Sequence, residues 1–422
     1  MPLPVHRATF TLLFVFLAVS ATAQVRAPES SHPANIGSVK DGDPFDVATG
    51  IYSRTYSDLF VKDSIPIDFV RTQRNMDNQS RSFGLGGMTS YDMFIIGDVK
   101  EFSWVALVLA DGAQMRYART SPGKGFAGAV FEDQATPGIF FKSRIAWDQH
   151  YAWTVTLRDG TEYLVRGCNA TSKPGQCAVL QIKEQQGEVL TVDRNPDGDI
   201  TRISSPHGHS IEITNDVAGR ITRAQSDDGH WTRYQYDASG HLVEARSWRG
   251  DRQTFGYDKH SNMTFIRERG PGTKRIQPYN FSITNHYGVD DRFSSQKISN
   301  GETYSARYYG VVDEHASRTD VRGPLGLSKY FFNSEGYETR REFYPAIGFA
   351  WSLNQLHDAA TNATTDLILT CASGKVHLSL SLKIPLSGPG DTDIPFLSNI
   401  CERANKKKKP AKVENATPSV DQ

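Results

Sequence analysis

Asp193, Asn195, Asp197 and Gly198, in the stretch DRNPDGDI, reproduce the D-x-N-x-D-G opening of a calcium loop, whose side-chain oxygens at alternate positions converge on a hard cation. The last ligand is missing, because the twelfth loop position is Ser204 where a bidentate glutamate belongs, and the flanks read as strand rather than helix. His207, His209 and His230 lie at or just after turns and could meet as metal ligands, although turn histidines are usually solvated. No G-x-S-x-G elbow occurs, and no lone serine or cysteine has a nucleophile's neighbourhood. The carboxylates are spread along turns, which gives paired-carboxylate chemistry no anchor. The run Lys406 to Lys409 sits in a polar tail of the kind that is normally disordered and solvated. The expectation is therefore a protein that is not an enzyme and holds no metal or cofactor.

A fixed period explains Asn195 and Gly198 more simply than calcium does. RNPDGDI begins at Arg194, NDVAGRI at Asn215, YDASGHL at Tyr236 and YDKHSNM at Tyr257, each 21 residues after the last. Asn195 and Gly198 are thus in register with Asp216 and Gly219, and with Asp237 and Gly240; Asp258 opens the fourth copy. A second glycine falls half-way, giving Gly187, Gly198, Gly208, Gly219, Gly229, Gly240 and Gly250. Such self-similarity marks a repeat architecture. One turn every ten or eleven residues leaves room for one short strand between turns. HWTRYQY supplies such a strand, with Trp231, Arg233 and Gln235 on one face and Thr232, Tyr234 and Tyr236 on the other. Asp opens the turn by bonding its own downstream backbone, and Gly closes it at positive φ. The fold class expected is all-β, an antiparallel meander of hairpins in a curled or partial shell, with these tyrosines and aspartates as scaffold.

The Tyr-Asp-x-x-Gly-x-Leu unit at this period resembles the YD repeats of the Rhs (rearrangement hotspot) family, which includes the teneurin-type surface proteins. FFNSEGYET from Phe331, with Asn333 and Gly336 at the turn, follows TDVRGPLGLSKY and resembles a later family unit. GDPFDVATGIYSRTYSDLFVKDSIPIDFVRTQRNM, followed by GLGGMTSYDMFI, is similar to the N-terminal domain that opens many Rhs proteins. The resemblance spans about residues 36 to 344 and thins over Gly272 to Thr303. It implies a large β shell, which bacterial members use to enclose and deliver a toxic C-terminal domain. Two departures matter. The array is short, favouring an open curled sheet, and the family's D-P-x-G-L autoproteolysis motif is absent, so no cleavage residue is carried over.

Residues 1–23 read as a signal peptide: His6 and Arg7, an apolar run, then Ala21-Thr22-Ala23, leaving Gln24 as the new N-terminus. That run, about 14 residues, falls short of the ~20 needed to span a bilayer. No later run is long enough, so no integral membrane span is expected after cleavage and the protein is read as exported, to the periplasm, cell surface or medium. Four cysteines suit an oxidising compartment, with Cys168 and Cys177 the first pairing and Cys371 with Cys401 its complement; neither pair has structural-zinc spacing. The 47 basic and 47 acidic residues cancel, so nucleic acid is not an expected partner.

The expected plan is a linker over 24–35, an Rhs-type β domain over 36–150, the repeat sheet over 151–344, a cap or remnant over 345–404, and a disordered Lys-rich tail over 405–422. Within the fourth part, AIGFAWSLNQLHDAATNATTDLIL could hold a helix and KVHLSLSLKIPL alternates like a strand. Two functions follow. One is a non-catalytic surface that binds a cell-wall or surface glycan through Trp231, Trp248 and Arg249; the other is a carrier whose toxic part lies after Tyr344.

Overall fold

In the computed structural model the described residues are 24–28, 37, 39–148, 152–271, 279–348, 350–371, 374–378 and 394–407. The signal peptide and the tail beyond residue 407 lie outside them. Every strand from Phe94–Gly97 to Gly374–Leu378 pairs antiparallel with its neighbours in the chain, forming one long curled meander. Among the described residues the sheet is not closed into a barrel: the outer edge of Phe94–Gly97 is taken by Arg26, bridged to Ile96, and by Ala178, bridged to Phe94.

The strands obey the alternation expected of a sheet with one covered face. In Trp231–Tyr236, Thr232 and Tyr234 are buried while Arg233 is exposed. At each turn Asp binds its own loop: the Asp237 carboxylate accepts from the amides of Ser239 and His241, both at 2.9 Å. Asp216 does the same for Ala218 and Arg220, Asp258 for His260 and Asn262, and Asn333 for Glu335 and Tyr337. Gly198, Gly219, Gly240 and Gly336 close these turns at φ of +92°, +79°, +94° and +82°. The fourth turn has no glycine, and Ser261 adopts φ +69° instead.

The tyrosine position has a further role. Tyr236 Oη donates to the carbonyl of Ile221 at 2.6 Å and Tyr257 Oη to that of Leu242 at 2.9 Å, each fifteen residues upstream, at the aliphatic position of the preceding unit. Where tyrosine is absent, another donor fills the place: Arg194 Nε reaches Val179 O and Asn215 Nδ2 reaches Ile200 O, again fifteen residues back. A register shift in the ladder falls at each of these positions, turning the side chain toward its carbonyl. Each bond adds about 0.5–1.5 kcal/mol net, and its recurrence ties every hairpin to the last.

The same contact exposes a unit not readable from sequence. Within the stretch 272–303, Tyr287 Oη donates to Met263 O at 2.8 Å, and YGVDDRF forms the turn with Gly288 in the Asp position and Asp291, at φ +61°, in place of glycine. At the far end His357 Nε2 lies 2.7 Å from the Glu338 carbonyl in the equivalent place. AIGFAWSLNQLHDAATNATTDLIL is accordingly strand, not helix: Trp351–His357 and Thr364–Cys371 bury Trp351, Leu353, Leu367, Leu369 and Cys371 at a spacing of two. The helix comes later, Ile394–Lys407, docking Leu397 and Cys401 on that small core.

Two cores divide what sequence grouped as 36–150. Residues 39–91 contribute Val39, Phe45, Tyr52, Ile67, Phe69 and Phe83 to a core shared with the covered face of the repeat strands. The strands from Phe94 to Arg166 curl instead around Trp153, Phe131, Tyr117 and Leu107. A boundary at residue 150 would cut the hairpin in which Asp148 faces Ala152. Gln24 to Ala27 are not linker either: Val25 is fully buried there, and Gln24 O accepts from Trp153 Nε1 at 2.8 Å. Both disulfides form, Cys168 to Cys177 and Cys371 to Cys401, each with Cα atoms 5.3 Å apart.

Ser261→Gly should raise stability by about 1 kcal/mol in urea unfolding, because only glycine adopts that backbone without steric cost, whereas Gly240→Ala should lower it by at least about 1 kcal/mol. A second expectation concerns acid. Partial burial opposes ionisation of Asp237, but His241 and the turn amides outweigh it and hold its carboxyl below the usual range. Its folded value being depressed, its contribution is present above the unfolded value of about 3.9 and is lost as pH falls through the folded one. Asp237→Asn, the residue already used at 195 and 333, should cost under about 1 kcal/mol at pH 7, and its deficit against wild type should shrink at pH 3.

Candidate functional site

The turn residues singled out by the repeat pattern, from Asn195 to Gly336, lie along one edge of the sheet and bond to their own loops. The family-like N-terminal motifs bond to that sheet. In GLGG, a Cβ on Gly84 would fall 2.2 Å from the Gly240 carbonyl, the same oxygen that accepts from the Leu85 amide at 3.1 Å. Glycine is therefore required where the segment crosses the YDASG turn. In DVATG, Asp46 caps its own turn through the Ala48 and Thr49 amides, while the carbonyls of Ala48 and Gly50 accept from the amides of Ala316 and Phe293, both at 2.8 Å.

Arg71, from the run FVRTQRN, is fully buried in this interface and was not a sequence candidate. It donates to both Asp58 oxygens, at 2.8 and 3.1 Å, and to Gln253 at 2.6 Å, and lies over the Tyr56 ring at 4.6 Å. Tyr234 Oη donates to the same carboxylate at 2.8 Å. Burial works against the charge on Arg71, but Asp58 outweighs it and the guanidinium is held above its ordinary value. Arg71 shares its strand with Asp68, Thr72, Gln73 and Arg74, so residue type alone does not single it out, and its partner depends on tertiary packing.

Beside this pair the Ser53–Val61 strand and the repeat turns enclose a cleft of about 540 Å³. Trp248 lies flat on His230, with ring centroids 3.8 Å apart, and the Arg249 guanidinium is 5.0 Å from the Trp248 centroid. Phe60 and Tyr279 also line the cleft and are 60% and 48% exposed, so open aromatic rings meet a polar floor. Asp228 and Asp251 supply carboxylates; the Ser226 hydroxyl donates to Asp228 and, with backbone amides, holds its carboxyl below the usual range.

Of the three binding candidates, Trp248 and Arg249 thus meet in one cleft, and Trp231 is not among its lining residues. Trp231 lies on the outer face with Arg233 stacked over it at 4.8 Å. The three turn histidines face three separate carboxylates: His207 is 2.6 Å from Asp63, His209 2.7 Å from Asp227, and His230 2.9 Å from Asp228. The calcium-like loop is a repeat turn, in which the Asn195 side chain bonds both the amide and the carboxylate of Asp199 at 2.9 Å. No helix among the described residues is long and apolar enough to cross a membrane.

Residues 42–117 match a family model described as Domain of unknown function (DUF6531). No curated protein matches. Among solved structures the chain is similar to one titled TcdB2-TccC3-Cdc42, at 9% identity and a TM-score of 0.29, covering 74% of this chain and 21% of that one. It is also similar to TcdB2-TccC3 without hypervariable C-terminal region, at 10% identity and a TM-score of 0.26, covering 82% and 23%. The chain therefore spans less than a quarter of the length of either structure.

Arg71→Ala should destabilise the protein by about 3–5 kcal/mol, since it leaves Asp58 buried without its counter-ion. Arg71→Ala combined with Asp58→Ala should cost less than the sum of the two single changes, a coupling readable by a double-mutant cycle in urea.

Proposed function

We propose that this is an exported, non-catalytic Rhs-type repeat protein whose cleft beside the Ser53–Val61 strand binds carbohydrate of the cell wall or cell surface. The observation that carries it is the ring of exposed Phe60, Trp248 and Tyr279 around carboxylates and arginine. Sugars present apolar C–H faces edged by hydroxyls; aromatic rings take the former, and Asp228, Asp251 and Arg249 can hydrogen-bond the latter. Both disulfides fit an oxidising compartment outside the cytosol.

The carrier reading gains less support. Residues 351–371 continue the meander, and the Ile394–Lys407 helix is tied to its penultimate strand, Thr364–Cys371, by the Cys371–Cys401 disulfide. That arrangement suits a cap over the end of a repeat sheet.

The protein should co-sediment with cell-wall material or immobilised glycan. Trp248→Ala should weaken this about tenfold, equivalent to 1.4 kcal/mol, without altering the unfolding midpoint. Trp231→Ala should leave cleft binding unchanged. Sedimentation indifferent to Trp248→Ala would contradict the proposal.

A further inference from the structure

The outer face of the repeat sheet carries a row of arginines. The ladder registers place Arg223 opposite Arg233, Arg233 opposite Arg246, Arg246 opposite Arg252, and Arg252 opposite Arg269. Five consecutive strands thus present guanidinium groups in one line, about 4.8 Å apart per strand step and roughly 19 Å end to end. Arg233, Arg246, Arg252 and Arg269 are exposed, and Arg267 stands beside the row opposite Thr254. Arg252, Thr254, Arg267 and Arg269 line a shallow pocket of about 220 Å³.

Like charges directly opposite in an antiparallel pair are destabilising, and here four successive pairs are like-charged. Compensation is slight. Glu244 pairs with Arg252 at 2.5 Å, Arg223 reaches the Gln225 amide at 2.7 Å, and Arg233 and Arg267 rest over Trp231 and Phe265. The whole chain is neutral, so this concentration of positive charge is local.

We infer that this arginine row is a binding site for a linear anionic polysaccharide, its carboxylate or sulfate groups meeting successive guanidinium groups along the strand-to-strand direction. The fork of each guanidinium matches a planar carboxylate or a sulfate bidentately, which a lysine row would not. The guanidinium carbons of Arg233 and Arg267 lie 4.8 and 5.4 Å from the Trp231 and Phe265 ring centroids. The two disulfides favour a polysaccharide over nucleic acid, because they fit a compartment where nucleic acid is not the ordinary polyanion. Arg246 also lines the Trp248 cleft, whereas Arg233 and Arg269 do not, so these two report on the row alone.

The test uses the full chain on immobilised polygalacturonate, with dextran as the neutral control and an oligo(dT) of equal charge as the nucleic-acid control. Wild type should bind polygalacturonate and not dextran at this face, and lose at least about tenfold in affinity as salt rises from about 50 to 200 mM. The double variant Arg233→Gln/Arg269→Gln, which spares the cleft-lining Arg246, should bind at least about tenfold more weakly while its unfolding midpoint stays level or rises, since like-charge repulsion is relieved. Trp248→Ala should leave polygalacturonate binding intact, which separates this site from the cleft. Unchanged affinity in the double variant would overturn the inference. So would a drop in its unfolding midpoint, which would make the row structural, or tighter binding to oligo(dT) than to polygalacturonate.

Discussion

A long antiparallel meander has two faces, and one of them here is apolar; everything else depends on what covers it. Ile203, Ile211, Tyr234, Phe255, Ile266 and Ile283 all point to one side, and a sheet of that kind cannot stand alone in water. The N-terminal segment is the cover. It reaches the face with Val39, Phe45, Tyr52, Ile67, Phe69 and Phe83, and it satisfies its own backbone by bonding turns of the sheet rather than solvent. The glycine-rich stretch, the DVATG turn and the buried Arg71 are then parts of one seam. Each is the residue type needed where two backbones, or a backbone and an ion pair, come together without water.

The repeat itself was legible because its turns are local. Asp or Asn four residues before the closing amide, with a glycine between, forms its bonds within five residues, and sequence spacing alone reveals it. The Cys168–Cys177 pairing is local, nine residues apart, while Cys371–Cys401, thirty apart, was read only as its complement. The YGVDDRF unit was hidden because Gly288 and Asp291 exchange the usual residue types while the backbone bonds persist: Gly288 N still donates to Arg292 O at 2.8 Å. The grouping of Trp231 with Trp248 depended on side-chain placement that sequence does not carry: Thr232 faces Ser247, but Trp248 opens a turn and its ring lies on His230. The helical reading of 346–369 failed because small and polar residues dilute a period of two that only packing shows.

The two proposed binding surfaces draw on the two faces of the sheet and meet at Arg246. On the covered side, the edge of the seam leaves a cleft in which the strand Ser53–Val61 and the repeat turns contribute aromatic rings and carboxylates. On the open side, the pleat brings arginines from separate units into line, so that a period in sequence becomes a ladder of charge in space. The binding proposed at each surface uses hydrogen bonds, charge and ring contacts alone. Both are made by turns and strands whose positions are fixed by the chain of side-chain bonds to carbonyls in the preceding unit.

The central claim is that the N-terminal segment and the repeat sheet are one cooperative core, and native-state amide hydrogen exchange addresses it directly. The amides of Ile221, Leu85, Phe293 and Ala316 each donate across the seam, to Ser82, Gly240, Gly50 and Ala48 respectively. If the seam is the core, these amides should exchange within about tenfold of the slowest amides of the Trp231–Tyr236 strand, through the same global opening. Exchange faster by about a thousandfold or more at the seam, with the strand amides still protected, would show that the segment opens alone and would contradict the account.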